Sequence, residues 1–238
     1  AAEKQLQIIA RMSALALSYL TPDNPTGDGT ATSVQVAKVT EALRSVLMIR
    51  RFGIPTSSAE ALDILDKLGC ELGVGSANIR RLQYAALLHD AGMARVELEI
   101  VMGESALSWD QRDEVDRHVE QGMDLMAPLL PDPEIVNVIR HHHERVDGQG
   151  YPGGLTGSEI PLGSRLLAVV DAWFALTRDR SFRPGMAAAD ALTEIRSHAG
   201  TQFDTDVVQA FEIVLKSEGI IEGSPVCAHN GIGTKGQS

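Results

Sequence analysis

The sequence is poor in the residues that stabilise small secreted proteins and sheet-rich proteins. Only two of its 238 residues are cysteines, Cys70 and Cys227, and they form no CxxC pair. This spacing argues against a disulfide framework and fits a reducing compartment. Aromatic residues make up only 4% of the chain, whereas alanine, leucine and valine are frequent. The composition therefore favours helices over a sheet sandwich.

Two further absences concern membranes and nucleic acids. No apolar run reaches membrane-spanning length, because the segment IIARMSALALSYL at 8–20 is interrupted by Arg11 and two serines. That segment is typical of an amphipathic helix. Lysine and arginine number 21 against 32 acidic residues, which gives a formal net charge of −11. Such a surface repels a phosphate backbone, so we do not expect binding to duplex nucleic acid. The cysteine spacing and the absence of a membrane-spanning run together predict a cytoplasmic protein.

Turn-forming residues divide the chain into a leading segment, a central domain and a tail. The stretch TPDNPTGDGT at 21–30 is dense in turn residues and is predicted to be a loop between two helical stretches. We interpret residues 1–52 as a helical connector or packing segment, which is also the surface through which a homodimer would form. Residues 53–222 are predicted to form one domain. Residues 223–238 are predicted to be a flexible tail.

From residue 55 onward, apolar residues recur at helical spacing and no segment alternates as a strand does. Ser108 and Asp204 stand at N-cap positions. Gly73, Gly92 and Gly219 follow helical runs, as C-terminal caps do. These patterns predict an all-α helical bundle. The predicted helices lie near 57–73, 76–91, 108–127, 133–144, 161–179, 186–198 and 204–217.

Six histidines and aspartates lie within or at the ends of these predicted helices. Asp171 is the most informative, because it lies inside the apolar stretch RLLAVVDAWFAL, where an unpaired carboxylate would be costly. A metal ion shared with imidazoles from other helices would compensate its charge. Mixed histidine and aspartate ligation suits iron, manganese, nickel or zinc. The candidate ligands are His89, Asp90, His118, His142, His143 and Asp171.

Asp90 is the candidate for a bridging ligand, because it adjoins a candidate histidine ligand and its two oxygens can bind two ions. Two ions about 3.5–4 Å apart would clamp a phosphate for in-line attack. The constellation therefore indicates hydrolysis of a phosphoester.

The stretch HHERVDGQGYPGGLTGSEIPLGSRLLAVVD at 142–171 resembles the HD-GYP family, a branch of the HD phosphohydrolases. With LLHDAG upstream, His118 between the two motifs and GTQFD at 200–204 downstream, the resemblance covers roughly residues 55–217. It implies an all-helical domain that binds two or three metal ions and hydrolyses cyclic di-GMP. By motif, it also implies that all six candidate residues are metal ligands and that Asp90 is the metal-bridging catalytic residue.

The resemblance also implies residues that contact the substrate. Tyr151 lies in the loop DGQGYPGGL at the edge of the site, where it would face the substrate or a partner signalling protein. Arg180 and Arg183 stand where the family places cations for the phosphate or the guanine. By the same motif, His141 is a bystander.

Four positions depart from the HD-GYP pattern. Ser57 stands where the family has a metal-binding histidine, and Gly53 where some members have an acid. Met93 replaces the lysine of the HDxGK motif, and Phe174 replaces an aspartate that helps hold the substrate. Because the loss of one imidazole weakens one metal position, we expect two ions at most.

The departures leave two functions open. The first is a metal-dependent phosphodiesterase that acts on cyclic di-GMP or on a related cyclic or linear dinucleotide. The second is a catalytically weak receptor or protein-interaction module in cyclic dinucleotide signalling. Turnover measured at a defined metal content separates them.

Overall fold

The computed structural model describes residues 59–97, 99–100, 107–126, 132–179 and 184–222. Within these ranges the regular structure is helical and contains no β-strand, which confirms the predicted all-α fold. None of the described helices is long and apolar enough to cross a membrane. The α-helices of the described residues, labelled in chain order, are α1 (Ala59–Glu71), α2 (Ser76–Leu88), α3 (Trp109–Asp116), α4 (His118–Met126), α5 (Pro133–Arg140), α6 (Leu162–Thr177), α7 (Ala188–Ser197) and α8 (Thr205–Ser217).

Several predictions fall on parts of the chain outside the described residues. They concern the leading segment, the tail, two of the departures from the HD-GYP pattern and both predicted substrate-binding arginines. These are residues 1–52, residues 223–238, Gly53, Ser57, Arg180 and Arg183.

Helix α6 forms the centre of the core. It packs against α1, α2, α5, α7 and α8. A helix that is apolar on almost every side is stable only when other helices surround it. Asp171 lies half-buried in its middle and is therefore carried on a rigid support. The buried residues of α6 are Ser164, Leu166, Leu167, Val169, Val170, Trp173 and Phe174.

Three predicted helix boundaries are wrong where candidate ligands lie. The predicted helix near 108–127 is two helices that meet at Arg117, so His118 begins α4 and does not lie mid-helix. Helix α2 ends at Leu88 and α5 ends at Arg140, each earlier than predicted. The histidines that follow these helices consequently lie in turns.

The predicted N-caps are confirmed. The Ser108 hydroxyl accepts the backbone N–H of Gln111, whose side chain in turn accepts the N–H of Ser108. Gly73 and Gly219 adopt left-handed φ angles of 70° and 66° after α1 and α8, as C-terminal caps do. The prediction for Gly92 is wrong, because this glycine lies inside the 3-10 turn Ala91–Arg95.

A partly buried ion pair joins α6 to the start of α8. The Arg165 Nη1 atom lies 2.5 Å from Asp204 Oδ2, and its Nε atom donates to the carbonyl of Ile160. The Asp204 Oδ1 atom accepts the N–H groups of Asp206 and Val207 at 2.8 and 3.2 Å. Burial raises the pKa of Asp204, but Arg165 and the two N–H groups outweigh it and lower this pKa below its usual range.

We expect Asp204→Ala to lower the free energy of unfolding by about 2–3 kcal/mol, because it removes the N-cap and strands Arg165. Asp204→Asn should lose less, since asparagine caps a helix as well as aspartate. A carboxylate with a lowered folded pKa stabilises above its unfolded pKa of about 3.9. This contribution is lost as the pH falls through the folded pKa, so the difference between the wild type and the Asn variant should shrink in acid. Urea denaturation measures both effects, and an Ala variant as stable as the wild type would contradict them.

Candidate metal centre

Four of the six predicted ligands converge on one point. The ligand atoms of Asp90, His118, His142 and His143 all lie within 4.8 Å of one another. They come from the turn after α2, the start of α4 and the turn after α5. Ligands bound at about 2.1 Å to one ion lie about 3–4 Å apart, so small side-chain movements would close the set around an ion.

The two oxygens of Asp90 face different parts of the site. Oδ1 lies 3.4 Å from Nε2 of His118 and 3.8 Å from Nε2 of His142. Oδ2 lies 3.3 Å from Nε2 of His89, which is itself 3.9 Å from Oδ1 of Asp171. The six predicted ligands thus form a cluster of four, which includes Asp90, and a pair, His89 and Asp171. Asp90 connects the two groups, because each of its oxygens faces one of them.

Hydrogen bonds to the backbone orient three of the histidine rings. Each Nδ1 atom lies close to the carbonyl oxygen three residues earlier, at 2.9 Å for His89 and at 2.6 Å for both His118 and His142. A ring that donates through Nδ1 presents the lone pair of Nε2 when it is neutral. The Nε2 atoms of His118 and His142 are buried and have no hydrogen-bond partner among the described residues. Since buried polar atoms are almost always partnered, these two nitrogens fit a bound metal ion.

Burial and charge set the protonation of the site. Burial lowers the pKa of His142 well below its usual range and lowers that of His143 to about 3. Both rings are therefore neutral at pH 7, as metal ligands must be. Burial also lowers the pKa of His89, but the carboxylates of Asp90 and Asp171 outweigh it and raise this pKa to about 9. His89 therefore carries a positive charge between two acids in the metal-free protein.

Gly92 brings the turn after α2 against α4. A Cβ atom on Gly92 would lie 1.8 Å from the backbone oxygen of His118 and 2.7 Å from the backbone nitrogen of Gly122. No side chain fits there, because the atoms in the way are backbone atoms. The glycine is needed for close packing of two backbones, and this contact places His118 beside Asp90.

Tyr151 lies against a candidate ligand. Its ring is 4.9 Å from the His143 ring, with 31° between the two planes. Burial and the nearby Asp116 carboxylate raise the pKa of Tyr151, so its hydroxyl is a permanent hydrogen-bond donor at neutral pH.

Two of the residues that depart from the HD-GYP pattern pack within or against the hydrophobic core. Met93 is half-buried and packs against the hydrophobic core. Phe174 is 2% exposed, and the Arg178 guanidinium lies 4.5 Å from the centre of its ring. Neither position offers a polar group to a ligand.

Sequence reasoning missed contacts made by two acids, Glu144 beside the site and Asp204 at the start of α8. Glu144 is buried directly after His143 and binds the backbone of the loop that carries Tyr151. Asp204 was predicted as a cap, but its ion pair with Arg165 was not. The only signal in the sequence was that both acids lie in the motifs that resemble the HD-GYP family.

Comparison with known proteins agrees with this geometry. The sequence profile described as HD domain matches residues 41–207, which is more than half of the chain. A cyclic di-GMP phosphodiesterase of Pseudomonas aeruginosa is 36% identical over 134 residues, or 56% of this chain and 32% of that protein. A 3′3′-cGAMP-specific phosphodiesterase of Vibrio cholerae is 29% identical over 150 residues, or 63% of this chain and 33% of that protein. The chain thus spans about a third of the length of these relatives.

A solved structure shares the fold. It is described as an HDGYP protein from Bdellovibrio bacteriovorus, and it aligns with a TM-score of 0.54 at 19% sequence identity. The alignment covers 91% of this chain and 73% of that chain.

Proposed function

Because the chain belongs to the HD domain family, in the HD-GYP branch that its motifs resemble, we propose that it is a metal-dependent phosphodiesterase. Its substrate is cyclic di-GMP or a related cyclic or linear dinucleotide. One observation carries the proposal. The Nε2 atoms of His118 and His142 are buried beside the Asp90 carboxylate, and within the part of the chain that the structure describes neither has a hydrogen-bond partner.

The donor set suits divalent ions. Asp90, His118, His142 and His143 would hold one ion of iron, manganese, nickel or zinc. The other Asp90 oxygen, together with His89 and Asp171, would hold a second ion, and two is the largest number that we propose. The ligands of the two ion positions together would be His89, Asp90, His118, His142, His143 and Asp171. A divalent ion there supplies Lewis acidity and makes a water molecule nucleophilic near neutral pH, as hydrolysis of a phosphodiester requires.

Other functions in the proposed reaction, which are charge balance and substrate binding, fall to individual side chains of the chain. The His89 imidazolium balances Asp90 and Asp171 before an ion binds, so filling that position releases a proton. The Tyr151 hydroxyl, which lies beside the Asp116 carboxylate, would contact the substrate or a signalling partner at the edge of the site in this proposal. Arg180 and Arg183 bind the phosphate or guanine groups in this proposal.

A second function is favoured by the packing of Met93 and Phe174. Both side chains lie against or within the apolar core, where the HD-GYP pattern has a lysine and an aspartate. A domain without this cation and this acceptor would bind a cyclic dinucleotide and turn it over slowly. It would then serve as a receptor or interaction module.

Metal removal separates the two functions. We expect protein treated with a chelator to lose hydrolysis of cyclic di-GMP and 3′3′-cGAMP, and to regain it when Mn²⁺, Fe²⁺, Ni²⁺ or Zn²⁺ is added back. Elemental analysis beside each assay should find up to two ions per chain. Tight binding of cyclic di-GMP without turnover, at any metal content, would contradict the enzyme and support the receptor.

A further inference from the structure

One candidate ligand is held differently from the others. Three histidines of the site bind a backbone carbonyl through Nδ1. Among the described residues no such bond fixes the ring of His143. Its ring instead contacts three other rings, that of His142 at 4.0 Å, that of Tyr151 at 4.9 Å and that of His118 at 5.1 Å. The position of Tyr151 therefore limits the orientations that His143 can adopt.

Glu144 follows His143 and is 4% exposed. Its Oε1 atom accepts the N–H of Gly153 at 2.6 Å, and its Oε2 atom accepts the N–H of Leu155 at 3.0 Å. Nδ1 of His141 lies 3.3 Å from Oε1. No lysine or arginine of the described residues pairs with this carboxylate, so backbone N–H groups provide most of its stabilisation.

The loop that carries Tyr151 lies directly on this acid. A Cβ atom on Gly150 would lie 2.5 Å from Cα of Glu144, and one on Gly153 would lie 2.9 Å from its Oε1 atom. The N–H of Tyr151 donates to the carbonyl of His143 at 3.2 Å. Glycines allow this approach, and three hydrogen bonds fasten the loop to the turn at 141–144.

We propose that Glu144 is a positioning residue, which fastens the loop at 148–155 to the turn that carries His142 and His143. The loop in turn holds the Tyr151 ring against His143 and so fixes the direction of a candidate ligand. Because each Glu144 oxygen accepts a different N–H group of the loop, that of Gly153 or that of Leu155, a residue with a single acceptor cannot replace it. The inference rests on the proposed function only in taking His143 as a metal ligand.

The variant Glu144→Gln tests the loop contact in the metal-free protein. Glutamine keeps the shape but offers one acceptor in place of two. We expect the backbone amides of Gly153 and Leu155 to exchange with solvent about tenfold faster or more, since a hydrogen bond to a charged acceptor is roughly twice as strong as one to a neutral acceptor. Glu159→Gln is the matched control. Glu159 also accepts a backbone N–H, that of Thr156, but it is exposed and lies beyond the loop, in the 3-10 turn Gly157–Glu159. Unchanged exchange in Glu144→Gln would overturn the proposal.

Two measurements, NMR of the His143 ring and Co²⁺ binding, test whether the loop positions His143. In the metal-free protein, the NMR signals of the His143 ring should shift in the direction produced by Tyr151→Leu, because both changes remove the ring current of Tyr151. Glu144→Gln should also weaken Co²⁺ binding by about 10–100-fold and alter the visible spectrum of the bound Co²⁺. If the loop loosens while the His143 signals stay as in the wild type, the positioning role is wrong. If the wild type binds neither Co²⁺ nor any of Mn²⁺, Fe²⁺, Ni²⁺ and Zn²⁺, the proposed function fails, while the NMR signals still decide the role of Glu144.

Discussion

Replacement of His118 by alanine will weaken metal binding by at least about two orders of magnitude, which is the upper end of the effect of removing a residue that only supports a ligand. The ring supplies a buried Nε2 atom that lies 3.4 Å from Asp90 and makes no hydrogen bond to any described residue. Its loss leaves three ligand atoms in the cluster. Hydrolysis of cyclic dinucleotides should fall with the metal content.

His198→Ala is the matched control for this prediction. The His198 Nδ1 atom also lies near a helix carbonyl, that of Glu194 at 3.0 Å, but its ring is partly exposed at the end of α7. Both variants therefore lose the same kind of side-chain contact, and only one loses a candidate ligand. Isothermal titration with Mn²⁺ or Zn²⁺ measures the difference. Equal metal affinity in the two variants would remove His118 from the site.

Gly92→Ala is expected to destabilise the protein by about 3 kcal/mol or more, the upper range for overpacking, because the clash is with backbone. The new Cβ atom would start 1.8 Å from the His118 oxygen, so α4 must move away from the turn that carries Asp90. Metal affinity should fall with stability. Thermal denaturation and metal titration of the same preparation test both parts.

Two further glycines make this test quantitative. Gly122→Ala probes the same contact from the side of α4, where a Cβ atom would lie 3.1 Å from the nitrogen of Gly92. Its effect should be smaller, about 1 kcal/mol. Gly75→Ala is the control, because no atom lies within 4 Å of a Cβ there. It should change stability by about 0.5 kcal/mol or less, since weaker capping opposes the lower entropy of the unfolded chain. Equal stability of the Gly92 and Gly75 variants would contradict the close contact.

The fold could be predicted from the sequence because apolar spacing at helical period extends over most of the domain. The break at Arg117 could not, because the residues on both sides of it are compatible with a helix. The early ends of α2 and α5 have a physical cause that a pattern does not reveal. A histidine at each end binds one of the last carbonyls of its helix, which have no partner within the helix.

The candidate ligands could be predicted from residue types and from a long motif, whereas their supports could not. Gly92 follows a helix and therefore has the same sequence signature as a C-terminal cap. Glu144 beside two histidines looks like a surface acid. Its role depends on a loop that returns to it nine and eleven residues later. Arg165 and Asp204 are separated by 39 residues, so only the packing of α8 on α6 reveals their pairing.

The histidines that terminate α2 and α5 make the ends of these helices part of the ligand geometry. When a helix end frays, its last carbonyl groups move, and the histidine ring that binds one of them loses its fixed orientation. An ion that binds only the intact geometry stabilises it by RT ln(1 + [L]/Kd), in which [L] is the concentration of free ion. The local opening of both helix ends is thus set by the free metal concentration around the protein. In metal-poor surroundings the ends of α2 and α5 would be the first part of this domain to exchange their amide hydrogens and to be cut by proteases.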